Sequence, residues 1–179
     1  MQNPTPKSTY MNKPNFIFIV GFMASGKSTF GKKVAKELGY KFIDTDKEIE
    51  RQEGRSITQI FEENGEAYFR KLEMNFLKNV SSTEENTVFS TGGGMACNQY
   101  RMNRILNSGK TIYLEIDVKS VINRLQNAKQ KRPILANLSE VELEKKISSL
   151  LDKRKKYYEQ AHKTISALHA KKVNGLDLK

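Results

Sequence analysis

Apolar positions along the chain follow two alternating rhythms. Short runs rich in β-branched and aromatic residues fall at 16–20, 40–43, 87–91, 111–116 and 163–168. The first, Phe16-Ile17-Phe18-Ile19-Val20, is continuously apolar, as a strand buried on both faces must be. Between these runs the period lengthens to that of a helix. Residues 29–38 put Phe30, Val34, Ala35 and Leu38 on one face before Gly39. A second helix is predicted near Lys47. Ser56-Ile57-Thr58-Gln59 has the form of a capping box, opening a helix that Gly65 ends. Residues 66–80 follow as an amphipathic helix carrying Phe69, Leu72, Phe76, Leu77 and Val80. Three helices are therefore expected between the second and third strands. Further helices are expected at 98–106, at 118–125 behind Asp117, and at 139–159 behind a second capping box at Ser139. Strands alternating with helices predict an α/β fold with a mainly parallel sheet.

The first strand runs directly into Gly21-Phe22-Met23-Ala24-Ser25-Gly26-Lys27-Ser28-Thr29. This stretch fits the GxxxxGK(S/T) pattern of a phosphate-binding loop. Glycines let the backbone approach an anion closely, successive N–H groups point into one concavity, and the next helix adds its positive end. Lys27 reaches the β and γ phosphates, and the Ser28 hydroxyl suits Mg²⁺.

Other candidates lie where strands end, the usual ligand side of an open α/β sheet. Asp44 and Asp46 follow the second strand. One can serve Mg²⁺ through water and the other a substrate hydroxyl; either can instead cap the helix that follows. Gly92-Gly93-Gly94 closes the third strand, read either as a close backbone approach or as a flexible turn. Arg70 lies beside the apolar stripe of its helix, and its spacing to Glu73 reads as an i,i+3 pair on a solvated face. Lys129, Lys131 and Arg132 sit in a polar loop that either closes over phosphate or is a solvated charge run. Arg154, among lysines, reads as surface. Cys97 reads as a small packed residue.

Composition narrows the classes. A chain of 179 residues suits one domain with a full core. A single Cys excludes an internal disulfide and points to a reducing, cytoplasmic setting. No apolar run approaches the ~20 residues of a membrane span. The net charge of +11 suits anionic ligands. No basic patch interleaved with aromatics accompanies it, so no nucleic-acid partner is expected. Residues 1–14 are polar and read as a disordered leader.

Taken together in order, these parts resemble shikimate kinase: the loop at 21–29, Asp44-Thr45-Asp46, the series Gly65-Glu66, Phe69-Arg70 and Glu73, Thr91-Gly92-Gly93-Gly94, Lys131-Arg132-Pro133, and Arg154 with Tyr157 and Ala161. The resemblance runs from Phe16 to about Ala161. It implies a three-layer α/β/α P-loop kinase with a five-stranded parallel sheet of order 2-3-1-4-5, spanning 15–179, with a substrate-binding insert near 45–80 and a lid near 127–138. It implies transfer of the γ-phosphoryl of ATP to the 3-hydroxyl of shikimate, in aromatic amino-acid synthesis, with Mg²⁺. Position by position, Asp46 matches the carboxylate that binds shikimate hydroxyls, and Asp44 one that positions Mg²⁺ through water, with Ser28 as the direct ligand. Arg70 and Arg154 match the pair that grips the shikimate carboxylate. Gly93 matches a glycine whose N–H meets substrate, and Arg132 the lid arginine that reaches ATP. Ala24, Ser25, Gly26, Lys27, Ser28 and Thr29 form the ATP cradle. Lys27, Asp46 and Arg132 are the catalytic candidates, and a monomer is expected.

Two departures stand out. Ala24 takes a loop position that is often Gly, acceptable for Ala at negative φ. The tail at 173–179 is short for a final helix, which puts any adenine contact from Lys171 in doubt. Rival readings are another P-loop small-molecule kinase, such as a gluconate kinase, and a basic nucleic-acid-binding ATPase. A nucleoside monophosphate kinase lid with Asp-Gly and the Asn-Lys-x-Asp guanine reader of small GTPases are both missing.

Overall fold

The computed structural model describes residues 14–127 and 139–170. Residues 1–13 of the leader at 1–14, the loop with Lys129, Lys131 and Arg132, and the tail with Lys171 lie outside the described residues.

Five strands form one sheet: β1 (Phe16–Val20), β2 (Lys41–Asp44), β3 (Thr87–Ser90), β4 (Lys110–Glu115) and β5 (Lys163–Ser166). Their order is β2-β3-β1-β4-β5, and every pairing is parallel. This is the expected order. β1 lies at the centre, with β3 on one side and β4 on the other, so the crevice beyond its carboxyl end is the switch point where a ligand fits.

Among the described residues six α-helices connect the strands: α1 (Lys27–Leu38), α2 (Thr45–Glu53), α3 (Ile57–Asn79), α4 (Gln99–Ser108), α5 (Val118–Gln126) and α6 (Glu140–Tyr158). Alternation along β1 splits the core in two. Phe16, Phe18 and Val20 face one cluster with Phe89, Met102, Tyr113, Ile147 and Tyr158. Ile17 and Ile19 face the other, with Phe30, Val34, Val88, Ile112 and Leu114. Each face carries a helical layer, which is why β1 is apolar throughout.

The helix expected from Thr29 begins at Lys27, because Gly26 is its cap with φ 93°. The expected break at Gly65 is present. Gly65 has φ 76° and ψ 174° inside α3, so two helical stretches meet there. Both capping boxes form, at Ser56–Gln59 and Ser139–Glu142. A third, smaller core of Ile49, Ile60 and Phe69 joins α2 to α3. That core fixes the segment between β2 and β3 over the carboxyl ends of the strands.

Candidate active site

The phosphate loop follows β1 at the centre of the sheet. Lys27 is buried, and its Nζ donates to the Phe22 carbonyl at 2.8 Å, folding the side chain over the loop. Ser25 is buried, Ser28 half-buried, and Thr29 exposed on the first turn of α1. Ala24 departs from expectation: its φ is +59°, in the left-handed region, where a Cβ is strained. A residue from α5 holds this conformation. Arg124 Nη1 donates to the carbonyls of Ala24 at 3.0 Å and Ser25 at 2.8 Å, while Nη2 reaches Ala167 at 3.4 Å. Sequence reasoning missed Arg124, since only the fold brings α5 to the loop.

Asp44 caps the helix that follows and also meets the phosphate loop. Its Oδ1 accepts from the Lys47 N–H, capping α2. Its Oδ2 accepts from the Ser28 hydroxyl at 2.5 Å. Asp46 lies in the first turn of α2 and faces the glycine turn after β3. A methyl on Gly92 would run into Asp46 Oδ1, so only glycine permits this approach. Thr45 is buried between the two carboxylates, and its Oγ1 accepts the Gly92 N–H at 3.0 Å. The flexible-turn reading of the three glycines therefore gives way to close packing. A Cβ on Gly93 would lie 3.3 Å from the Met23 nitrogen, and one on Gly94 2.7 Å from both Arg70 Nη atoms.

Arg70 is not on a solvated face. Its Nη1 donates to Glu73 at 2.8 Å and its Nη2 to Glu66 at 2.7 Å, and Glu73 is wholly buried. Burial works against the Arg70 charge, but Glu73 and Glu66 outweigh it and raise its pKa. Burial pushes the Glu73 carboxyl above its ordinary value, against the pull of Arg70 and Arg101. Arg154 is half-buried on α6; its Nη1 donates to the Gly93 carbonyl at 3.3 Å, and its guanidinium lies 5.7 Å from the Phe22 ring centroid. Arg70, Gly94, Arg101 and Arg154 line one cavity of about 620 Å³. Tyr157, singled out in the sequence, also lines it. Its neighbour Tyr158 is the buried one: the Tyr158 hydroxyl donates to the Gly93 carbonyl at 2.5 Å. The Cys97 thiol donates to Gly93 O at 3.4 Å and to the Tyr158 hydroxyl at 3.3 Å, and burial pushes its pKa up, as suits a packed residue.

Among the described residues no group of three or more His, Cys, Asp or Glu gathers to cage a metal. A hydroxyl and one carboxylate beside a phosphate loop instead suit Mg²⁺, which keeps waters and shares its ligands with nucleotide phosphates. No described helix is long and apolar enough to cross a membrane.

The family model for shikimate kinase matches residues 23–174. A shikimate kinase of Aquifex aeolicus is 41% identical over 145 residues, covering 81% of this chain and 82% of the relative. The crystal structure of a shikimate kinase from Bacteroides thetaiotaomicron superposes with a TM-score of 0.80 at 40% identity, covering 86% of each chain. A shikimate kinase from Acinetobacter baumannii, solved in complex with shikimate, gives 0.76 at 35% identity, covering 85% of this chain and 83% of that one.

Proposed function

The chain belongs to the shikimate kinase family, and from that premise we propose how its own residues carry the reaction. It is an ATP-dependent kinase that transfers the γ-phosphoryl of ATP to the 3-hydroxyl of shikimate, giving shikimate 3-phosphate and ADP.

In this reading the backbone of Ala24, Ser25, Gly26, Lys27, Ser28 and Thr29 cradles the nucleotide phosphates, with the positive end of α1 behind them. Lys27 exchanges its bond to the Phe22 carbonyl for phosphate oxygens and stabilises the charge that develops on the transferred group. Ser28 directly, and Asp44 through water, would hold Mg²⁺ beside the β and γ phosphates, where the ion neutralises phosphate charge. Asp46 accepts the hydrogen bond of the 3-hydroxyl and orients it in line with the γ-phosphorus. Arg70 and Arg154 take the shikimate carboxylate; a planar guanidinium fork matches its two oxygens, which an ammonium cannot do. The Gly93 N–H meets the substrate. Arg132, outside the described residues, supplies a further cation to ATP and closes over it, excluding water. The segment near 45–80 is the acceptor lobe of a single kinase domain at 15–179. A monomer in the cytoplasm with no nucleic-acid partner completes the reading.

The observation that carries it is the glycine turn at 92–94. It abuts Asp46, the phosphate loop at Met23, and Arg70 at the same time. The carboxylate that orients the hydroxyl, the phosphate cradle and the anion-binding cavity thus share one short segment. The test is ADP release from ATP and Mg²⁺ with shikimate, gluconate, nucleoside monophosphates or RNA supplied separately. Turnover with shikimate alone is expected. Arg70→Ala should mainly raise the KM for shikimate, and Lys27→Ala should cut kcat by orders of magnitude. Turnover with another acceptor and silence with shikimate would overturn the roles of Asp46, Arg70 and Arg154.

A further inference from the structure

The anion-binding cavity contains a charge problem. Arg70 is held by two carboxylates, Glu66 and Glu73, so that trio alone is net negative. Glu66 is 65% exposed, and Asp152, Lys153 and Lys156, which also line the cavity, are exposed on α6, so water screens all four. The wholly buried Glu73 is screened least, and it takes back part of the field that Arg70 and Arg154 offer to a small carboxylic acid.

A third guanidinium restores the balance. Arg101, on the first turn of α4, lines the same cavity with its side chain only 12% exposed. Its Nε lies 3.9 Å from Glu73 Oε2. Two backbone carbonyls hold it there: Nε donates to Met95 O at 2.7 Å and Nη2 to Gly94 O at 3.5 Å. Glu73 is therefore shared between two cations, one on its own helix and one from α4. We propose that Arg101 is a positioning residue for the acid substrate: it offsets the buried Glu73 charge, so that Arg70 keeps a net positive field for the incoming carboxylate. The Met95 and Gly94 carbonyls set where the guanidinium stands. The desolvation of Arg101, which lowers its pKa, is compatible with this place, because Glu73 opposes it. The inference rests on reading the cavity as the site of the shikimate carboxylate.

A double-mutant cycle with steady-state kinetics tests it. Arg101→Gln is expected to raise the shikimate KM about tenfold while ATP KM and kcat change by less than about threefold, since a ground-state field is lost and the phosphate site is untouched. In a Glu73→Gln background the same substitution should change the shikimate KM by less than about twofold, because the charge to be offset is gone. Arg101→Lys, which keeps the charge, should recover most of the affinity. An equal rise in both backgrounds would show Arg101 to be only a brace for the glycine turn and would overturn the proposal. Should Arg101→Gln alone fail to fold, the comparison of Glu73→Gln with the double variant decides the same point. Arg70→Ala run in parallel separates the two levels. If it leaves the shikimate KM unchanged, the acid-site reading itself fails; if it raises KM and Arg101→Gln does not, only the role of Arg101 fails.

Discussion

The Ser28 hydroxyl donates to Asp44 Oδ2 at 2.5 Å, while Asp44 Oδ1 caps α2 through the Lys47 N–H. One side chain therefore joins the phosphate loop to the start of α2. Asp44→Asn separates its two duties. The amide oxygen still caps a helix, whereas Asp44→Ala would cost about 1 kcal/mol by losing the cap. The negative charge facing Ser28 is lost in both. Asp44→Asn should keep its Tm within about 2 °C and raise the Mg²⁺ concentration for half-maximal activity by about 10–100-fold. An unchanged Mg²⁺ titration would reduce Asp44 to a helix cap.

Glycines 92 and 94 should fail in different ways. An Ala at 92 meets Asp46 Oδ1, the tip of a short side chain in the first turn of α2. Asp46 must swing away, so Gly92→Ala should lower kcat by about 10²-fold, the scale of a displaced catalytic group. An Ala at 94 meets the Arg70 guanidinium, the flexible end of a long side chain. Gly94→Ala should then raise the shikimate KM about tenfold and affect kcat much less. Identical kinetic profiles for the two variants would contradict the placement of Asp46 and Arg70 on separate tasks.

Most of the architecture was legible because β1 and its flanking helices carry strong local signals. The continuous apolar run at 16–20, Gly39 after α1, and the capping boxes at Ser56 and Ser139 each agree with the structure. Local pattern is less informative where long-range contacts decide. Arg70 and Glu73 have the spacing of a surface pair, yet Glu73 is wholly buried, with Arg101 of α4 beside it. Arg124 and Tyr158 carried no motif, and each acts on a backbone group that chain topology brings near, whereas Arg101 acts on carbonyls a few positions back in its own chain. Residue type at position 24 points to a negative φ, but φ there is +59°, with Arg124, 100 positions away, bonded to its carbonyl.

The buried Glu73 predicts a sign for stability against pH. Its folded pKa lies above the ordinary 4.5, chiefly through desolvation, with Arg70 and Arg101 pulling it down and Glu66 pushing it up. Above pH 4.5 the unfolded chain has released this proton while the folded chain still holds it. Folded wild type should thus lose stability relative to Glu73→Gln as pH rises from 4.5 through the raised value, and the difference should be level beyond it. Paired chemical denaturation of the two proteins across this range measures it. A difference that is flat, or that favours wild type increasingly with pH, would mean the two guanidiniums outweigh burial.

Ala24 offers the simplest test of strain in the phosphate loop. A left-handed alanine costs about 1–2 kcal/mol, and replacing it by glycine gives back about 0.4–1 kcal/mol through the freer unfolded chain. Ala24→Gly should therefore stabilise the protein by about 0.5–1 kcal/mol, read as a rise in the denaturation midpoint at constant slope. Activity should stay within about threefold, because Arg124 still fixes the loop through the carbonyls of residues 24 and 25. Removing that clamp is the counterpart. Ala24→Gly in an Arg124→Met background should lower activity further than Arg124→Met alone, since a glycine without its clamp leaves the loop free to depart from the phosphate-binding shape. Equal activity of the single and double variants would show that the loop holds its shape without Arg124.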